Sequence, residues 1–130
     1  MTFLSDIGFE AAFNEAIRLR DESRYDEALA ILAALARQGE KLAAVYGVMG
    51  GILLFNKGDV AGAIDCFRES TAHSPLSERA SLGLFHSLWE AGDRDGAFAE
   101  MRRYTSQRQS DEYARILADL NESDASMAEV

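Results

Sequence analysis

Gly58-Asp59-Val60-Ala61-Gly62-Ala63-Ile64-Asp65-Cys66-Phe67 reads as a tight turn that opens an amphipathic helix. The stretch returns 34 residues later as Gly92-Asp93-Arg94-Asp95-Gly96-Ala97-Phe98-Ala99-Glu100-Met101. It also stands 35 residues earlier, as Ser23-Arg24-Tyr25-Asp26-Glu27-Ala28-Leu29-Ala30-Ile31-Leu32. Ala28, Ala63 and Ala97 hold the same place in the three copies. A period of this length marks an array of helix pairs, in which each pair buries its apolar face against its neighbours.

The segments between these turns carry helical patterning. Phe9, Phe13, Ala16, Ile17 and Arg20 recur at steps of three and four, which predicts a helix over 8–21. Ser23 is expected to cap a second helix over 24–38, ended by Gly39. A third spans 40–56, with one stripe of Val45, Val48, Met49, Ile52 and Phe55 and another of Gly47, Gly50, Gly51 and Leu54. Glycine costs about 1 kcal/mol inside a helix relative to alanine. Three in five residues therefore point to close approach by a neighbouring backbone. Helices over 60–73, 76–91 and 94–107 follow, with Pro75 expected in the first turn of 76–91. Ser110 caps a seventh, over 111–121, whose apolar residues Tyr113, Ile116, Leu117 and Leu120 lie on one side. A one-sided helix at the end of a stack reads as a lid. Residues 122–130 are small, polar and acidic, and are expected to be disordered.

Composition excludes several classes of function. A net charge of −9 argues against nucleic acid and against an anionic membrane, both of which call for a surface rich in Lys and Arg. The longest apolar stretch, 42–55, is too short for a bilayer span. Met1 to Asp6 lack the basic start and apolar run of a secretory leader, and the single Cys66 suits a reducing cytoplasm, which is the expected location. The lone Cys66 excludes an internal disulfide and a cysteine zinc site. His73 and His86 have no partner at metal-ligand spacing. Asp93 and Asp95 fall at a helix start, where acids suit the dipole. Gly47-Val48-Met49-Gly50-Gly51 follows no strand and precedes no Lys-Ser or Lys-Thr, so it is no phosphate loop. No catalytic residue, metal or cofactor is expected, and the chain reads as a non-enzyme.

The three phased copies resemble the tetratricopeptide repeat over about residues 8–108. The family's small residue at the helix crossing is matched by Ala16 and Gly51, and its place in the third copy is taken by Phe85, with Gly83 and Ser87 nearby. Its Gly-acid turn is matched by Gly58-Asp59 and Gly92-Asp93. The small residue early in the second helix is matched by Ala28, Ala63 and Ala97, the large apolar residue four places on by Leu32, Phe67 and Met101, and the closing proline by Pro75. The resemblance implies an all-α fold: a right-handed superhelical stack of antiparallel helix pairs, about seven helices in one domain over 1–121. The repeats would span about 8–39, 40–75 and 76–109, with a capping helix over 110–121.

The resemblance also implies a protein-protein interaction module. The first helix of each pair would line a concave groove for a protein or peptide partner, with Phe13, Ile17, Arg20, Val45, Val48, Ile52, Phe55, Arg79, Leu82, His86 and Trp89 as its lining. Family members that clamp acidic chaperone tails use Lys, Arg and Asn at places held here by Phe13, Ile17, Met49, Arg79 and Gly83. With Arg79 as the one cation among them, an apolar or amphipathic segment is the better ligand. A dedicated chaperone or neutralising partner is a narrower form of this reading. Two alternatives stand beside it. The same stripe, at ordinary helical spacing, can pack internally. The protein can also self-assemble, as a homodimer or larger homo-oligomer whose groove is filled by another copy.

Overall fold

A computed structural model of the chain describes the backbone of residues 6–128 and the side chains of residues 8–121. Within them seven α-helices follow one another with no strand: α1 (Asp6–Asp21), α2 (Tyr25–Gln38), α3 (Leu42–Ile52), α4 (Val60–His73), α5 (Glu78–Glu90), α6 (Arg94–Thr105) and α7 (Asp111–Ala128). A π turn, Leu53–Lys57, extends α3. The chain is an all-α helical stack.

Cross-links between helix ends show that neighbours run antiparallel. Glu10, early in α1, pairs with Lys41, just past the end of α2. Lys57 Nζ donates to Asp26 Oδ1 at 2.7 Å and Asn56 Nδ2 to the Tyr25 hydroxyl at 3.0 Å, so the end of α3 meets the start of α2. Ser70 Oγ, late in α4, donates to the carbonyl of Ala43, early in α3, at 2.7 Å. Arg103 Nη1, late in α6, donates to the carbonyl of Pro75, ahead of α5, at 2.9 Å.

The sequence period reappears as a period of burial. Ala28, Ala63 and Ala97 are all wholly buried, and so, nearly, are Leu32, Phe67 and Met101 four places on. Seven places on, Leu35, Ser70 and Tyr104 are buried as well. The turns repeat too. Ser23, Gly58 and Gly92 all have positive φ, at 64°, 68° and 83°. The next residue in each case donates its N–H back into the preceding helix: Arg24 to Leu19, Asp59 to Leu53 and Asp93 to Leu88, at 2.8, 2.8 and 2.9 Å. Asp59 and Asp93 then cap the following helices, their Oδ1 atoms accepting from Gly62 N at 3.0 Å and Gly96 N at 2.8 Å. In the first turn Ser23 is not the cap. It takes the left-handed place of the two glycines, and Arg24 stands at the cap without a side-chain bond.

The middle turn holds one extra residue. Five residues separate Leu53 from Asp59, against four between Leu19 and Arg24 and four between Leu88 and Asp93. The π turn accommodates this insertion, so the underlying unit is 34 residues and the step of 35 is that unit plus one.

Packing forms two cores with α3 between them. Phe9, Ala16, Leu19, Ala28, Leu32, Leu35, Val45 and Ile52 make the first. Ala63, Phe67, Leu84, Phe85, Leu88, Ala97, Met101, Tyr104 and Tyr113 make the second, with Leu53 and Leu54 packed against it. The close approach at the α3 glycines is confined to Gly50, and the neighbour is a side chain rather than a backbone. A β-carbon there would lie 2.8 Å from Cε2 of Phe67. Gly47 has ordinary contact with Ser70, and the space beside Gly51 is open. Gly50, not Gly51, is therefore the small residue at this crossing, and Gly83 faces the same Phe67 ring from α5.

Two helix ends also differ from expectation. Ser77 caps α5 by accepting from Ala80 N at 3.2 Å, which leaves Pro75 outside the first helical turn. Ser110 caps α7 as expected, accepting from Tyr113 N at 3.0 Å. The helix then continues to Ala128, through residues expected to be disordered. Residues 122–128 contain neither Gly nor Pro, so nothing local stops it.

Candidate binding surface

The residues expected to line a groove divide into three groups. Ile52 and Val45 are interior, 1% and 0% exposed, because both point into the first core beside Ala16 and Leu32. They are structural, and the expectation that they face a ligand is corrected. Phe13, Ile17, Arg20, Val48, Leu82 and Trp89 are half-buried. Phe13 and Val48 lie against the first core, and Leu82 and Trp89 against the second. Arg20 donates from Nε to Asp21 Oδ1 at 3.1 Å, which occupies part of its guanidinium. Phe55, Arg79 and His86 are exposed, Phe55 to 73% on the π turn.

Two of these residues, His86 and Trp89, come together with α7. The i, i+1, i+4 set Phe85, His86 and Trp89 on α5 faces the i, i+3, i+4 set Ile116, Asp119 and Leu120 on α7. Between them lies an open groove of about 190 Å³. Its floor is an aromatic cluster. Phe85 and Trp89 stack at 5.8 Å and 18°, and Phe98 stands edge-on to both. The Arg94 guanidinium covers the Trp89 ring at 4.5 Å, a cation-π contact that restrains the indole.

A polar network seats α7 against α5 and α6. Tyr113 is 1% exposed, and its hydroxyl lies 2.7 Å from Ser81 Oγ. Ser81 commits its one proton to Glu100 Oε2 at 2.7 Å, so Tyr113 is the donor to Ser81. Glu100, 7% exposed, is held in turn by Arg103, Nε to Oε1 at 2.8 Å and Nη2 to Oε2 at 2.6 Å. Burial pushes the Tyr113 hydroxyl up to about 12, with the Glu100 charge adding to the effect. The buried polar atoms of this network all find partners, so it is a rigid seat for the lid.

Sequence reasoning missed the contribution of α7 to the groove. The signal was present in the Tyr113, Ile116, Leu117, Leu120 stripe. That stripe serves two purposes: Tyr113 is sealed inside, Ile116 and Leu120 border the groove, and Leu117 stays 45% exposed. The Tyr113-Ser81-Glu100-Arg103 network was also missed, because nothing in the local sequence pairs residues from three helices.

The remaining chemistry is sparse. Burial pushes the Cys66 thiol up to about 11, with Asp65, Asp59 and Glu69 acting in the same direction, so it is a poor nucleophile. Among the described residues, no three His, Cys, Asp or Glu side chains are grouped to hold a metal ion, and no helix is long and apolar enough to cross a membrane. In comparisons with known proteins, no family model matches the chain and no curated protein matches it.

Proposed function

We propose that this chain is a cytoplasmic interaction module of the tetratricopeptide kind, which binds an apolar or amphipathic segment of a protein partner. The observation that supports this most is the open apolar groove between α5 and α7, where Trp89 is half-buried and Ile116 and Leu120 form the opposite wall. A site made of an aromatic floor with a few polar groups at its edge suits an amphipathic helix or strand. Aromatic residues are the commonest anchors of such interfaces. Phe55, 73% exposed, is a second anchor on the preceding pair. Binding, rather than catalysis, is the activity assigned, in the manner of an adaptor or a dedicated chaperone or neutralising partner.

Self-assembly is the second reading, favoured by the exposure of Leu117 and Phe55. Affinity capture from native extract, run beside Leu120→Glu and Phe55→Ser variants, separates the two. Trp89 is the only tryptophan of the chain, so its emission can follow a titration with the recovered partner. Saturable emission change, abolished by Leu120→Glu in a folded variant, supports the groove. Recovery of the chain's own second copy alone, with a mass that rises with concentration in light scattering, replaces the adaptor reading by self-assembly.

A further inference from the structure

Helix α5 turns a different face, Leu84 and Leu88, towards a second groove, which lies between α4 and α6 and measures about 370 Å³. The α6 wall is made of the small residues Gly96 and Ala99, with Glu100 and Arg103 beside them. Both ends of the polarity scale are present. The floor is aliphatic, and one rim carries Arg68 of α4 and Arg103 of α6.

These two guanidiniums differ in a useful way. Arg103 is fixed by three hydrogen bonds, two to Glu100 and one to the Pro75 carbonyl. A guanidinium has five N–H groups, so two remain to be satisfied from outside. The Glu100 carboxylate is neutralised by Arg103 and further bonded by Ser81. Arg68 is exposed and has no acidic partner among the described residues, which makes it the excess charge of the groove. In a chain of net charge −9, this rim is locally cationic.

We propose that the groove between α4 and α6 is a binding site for a carboxylate carried on an apolar stem. The stem lies over Leu84 and Leu88 beside Ala99. The carboxylate bridges the two remaining N–H groups of Arg103, whose guanidinium is held in place in advance, and the exposed Arg68. Preorganised guanidinium is suited to this because it matches carboxylate geometry with two parallel hydrogen bonds. The site is separate from the α5–α7 groove and stands or falls independently of it.

The test is a titration of the full chain followed by NMR of the Leu84 and Leu88 methyls and the Arg103 Nε–H. Three probes are used: octanoate as a free acid, N-acetyl-leucine as a peptide-type terminus, and 1-octanol as a stem without charge. At least one carboxylate should shift these signals, and octanol should bind roughly ten-fold more weakly or worse, the usual effect of losing a charged hydrogen bond. Arg68→Gln should weaken the carboxylate by a similar factor. Arg102→Gln, at an exposed arginine of α6 that does not line the groove, should leave it unchanged. A response to octanoate alone assigns the site to free amphipathic acids, and a response to N-acetyl-leucine alone assigns it to protein termini. Absence of shifts with both acids, equal binding of octanol, or an unaltered Arg68→Gln overturns the proposal.

Discussion

The ring of Phe67 occupies the space into which a β-carbon at Gly83 would project. A β-carbon at Gly50, on the opposite side of the ring, would lie 2.8 Å from Cε2, and one at Gly83 would lie closer still. One side chain of α4 thus sets the distance to both α3 and α5. Gly83→Ala should therefore destabilise the protein by about 1–3 kcal/mol, the ordinary range for overpacking. Urea unfolding measures it. Phe67→Leu combined with Gly83→Ala should cost less than the sum of the two single changes, since the smaller side chain vacates the site. Strict additivity would show that the ring and the glycine do not oppose each other in solution.

Ser23 adopts φ 64°, where the equivalent turns use Gly58 and Gly92. A left-handed conformation is costly for a residue with a β-carbon and free for glycine. Ser23→Gly is expected to raise stability by roughly 1 kcal/mol, seen as a higher melting temperature. A lower melting temperature would mean that the Ser23 side chain, 3.3 Å from the Tyr25 hydroxyl, contributes more than the backbone strain removes.

The π turn over Leu53–Lys57 accommodates one residue more than the other two turns. Deleting Phe55 should convert it to an ordinary α-helical end, keep the Asn56–Tyr25 and Lys57–Asp26 links, and change stability by less than roughly 1 kcal/mol, because the residue removed is exposed and the other two turns close with one residue fewer. Circular dichroism and urea unfolding check this. If Phe55 is an anchor, the deletion should also weaken partner capture. Collapse of the fold would instead assign the insertion a structural role.

Tyr113 gives a pH signature. Its hydroxyl titrates at about 12 in the folded chain, against an ordinary value of 10. The neutral form is favoured on folding, so this contribution is complete below pH 10 and is lost as pH rises through 10 towards 12. Tyr113→Phe should lose about 1 kcal/mol at neutral pH for the missing hydrogen bond to Ser81. It should also show a shallower loss of stability in that alkaline window. Urea midpoints at a series of pH values for both proteins decide it, and parallel curves would remove Tyr113 from the titration.

Helix order and the repeat were legible in the sequence because they rest on local rules. The alanines at 28, 63 and 97 are buried without exception, and the Gly58-Asp59 and Gly92-Asp93 turns form as their residue types dictate. Register at the crossings was less legible. Gly50 and Gly51 are indistinguishable as neighbours in sequence, and only the position of Phe67 separates them. The surface was the least legible part. Ile52 and Phe55 share one helical stripe, yet the first is interior and the second is the most exposed large apolar residue described, because the π turn rotates the stripe between them. Glu100 and Ser81 meet across helices, nineteen residues apart, a pairing that no local pattern encodes.

The two cores separated by α3 have an optical consequence. The chain's only indole belongs to the second, so emission follows α4 to α7 and is blind to the Phe9–Leu35 half of the fold. Far-ultraviolet ellipticity weighs both halves alike. A stack joined only through neighbours loses cooperativity when the coupling between adjacent units weakens. The difference between the two melting curves therefore reads the strength of the junction at α3, with no label added to the molecule.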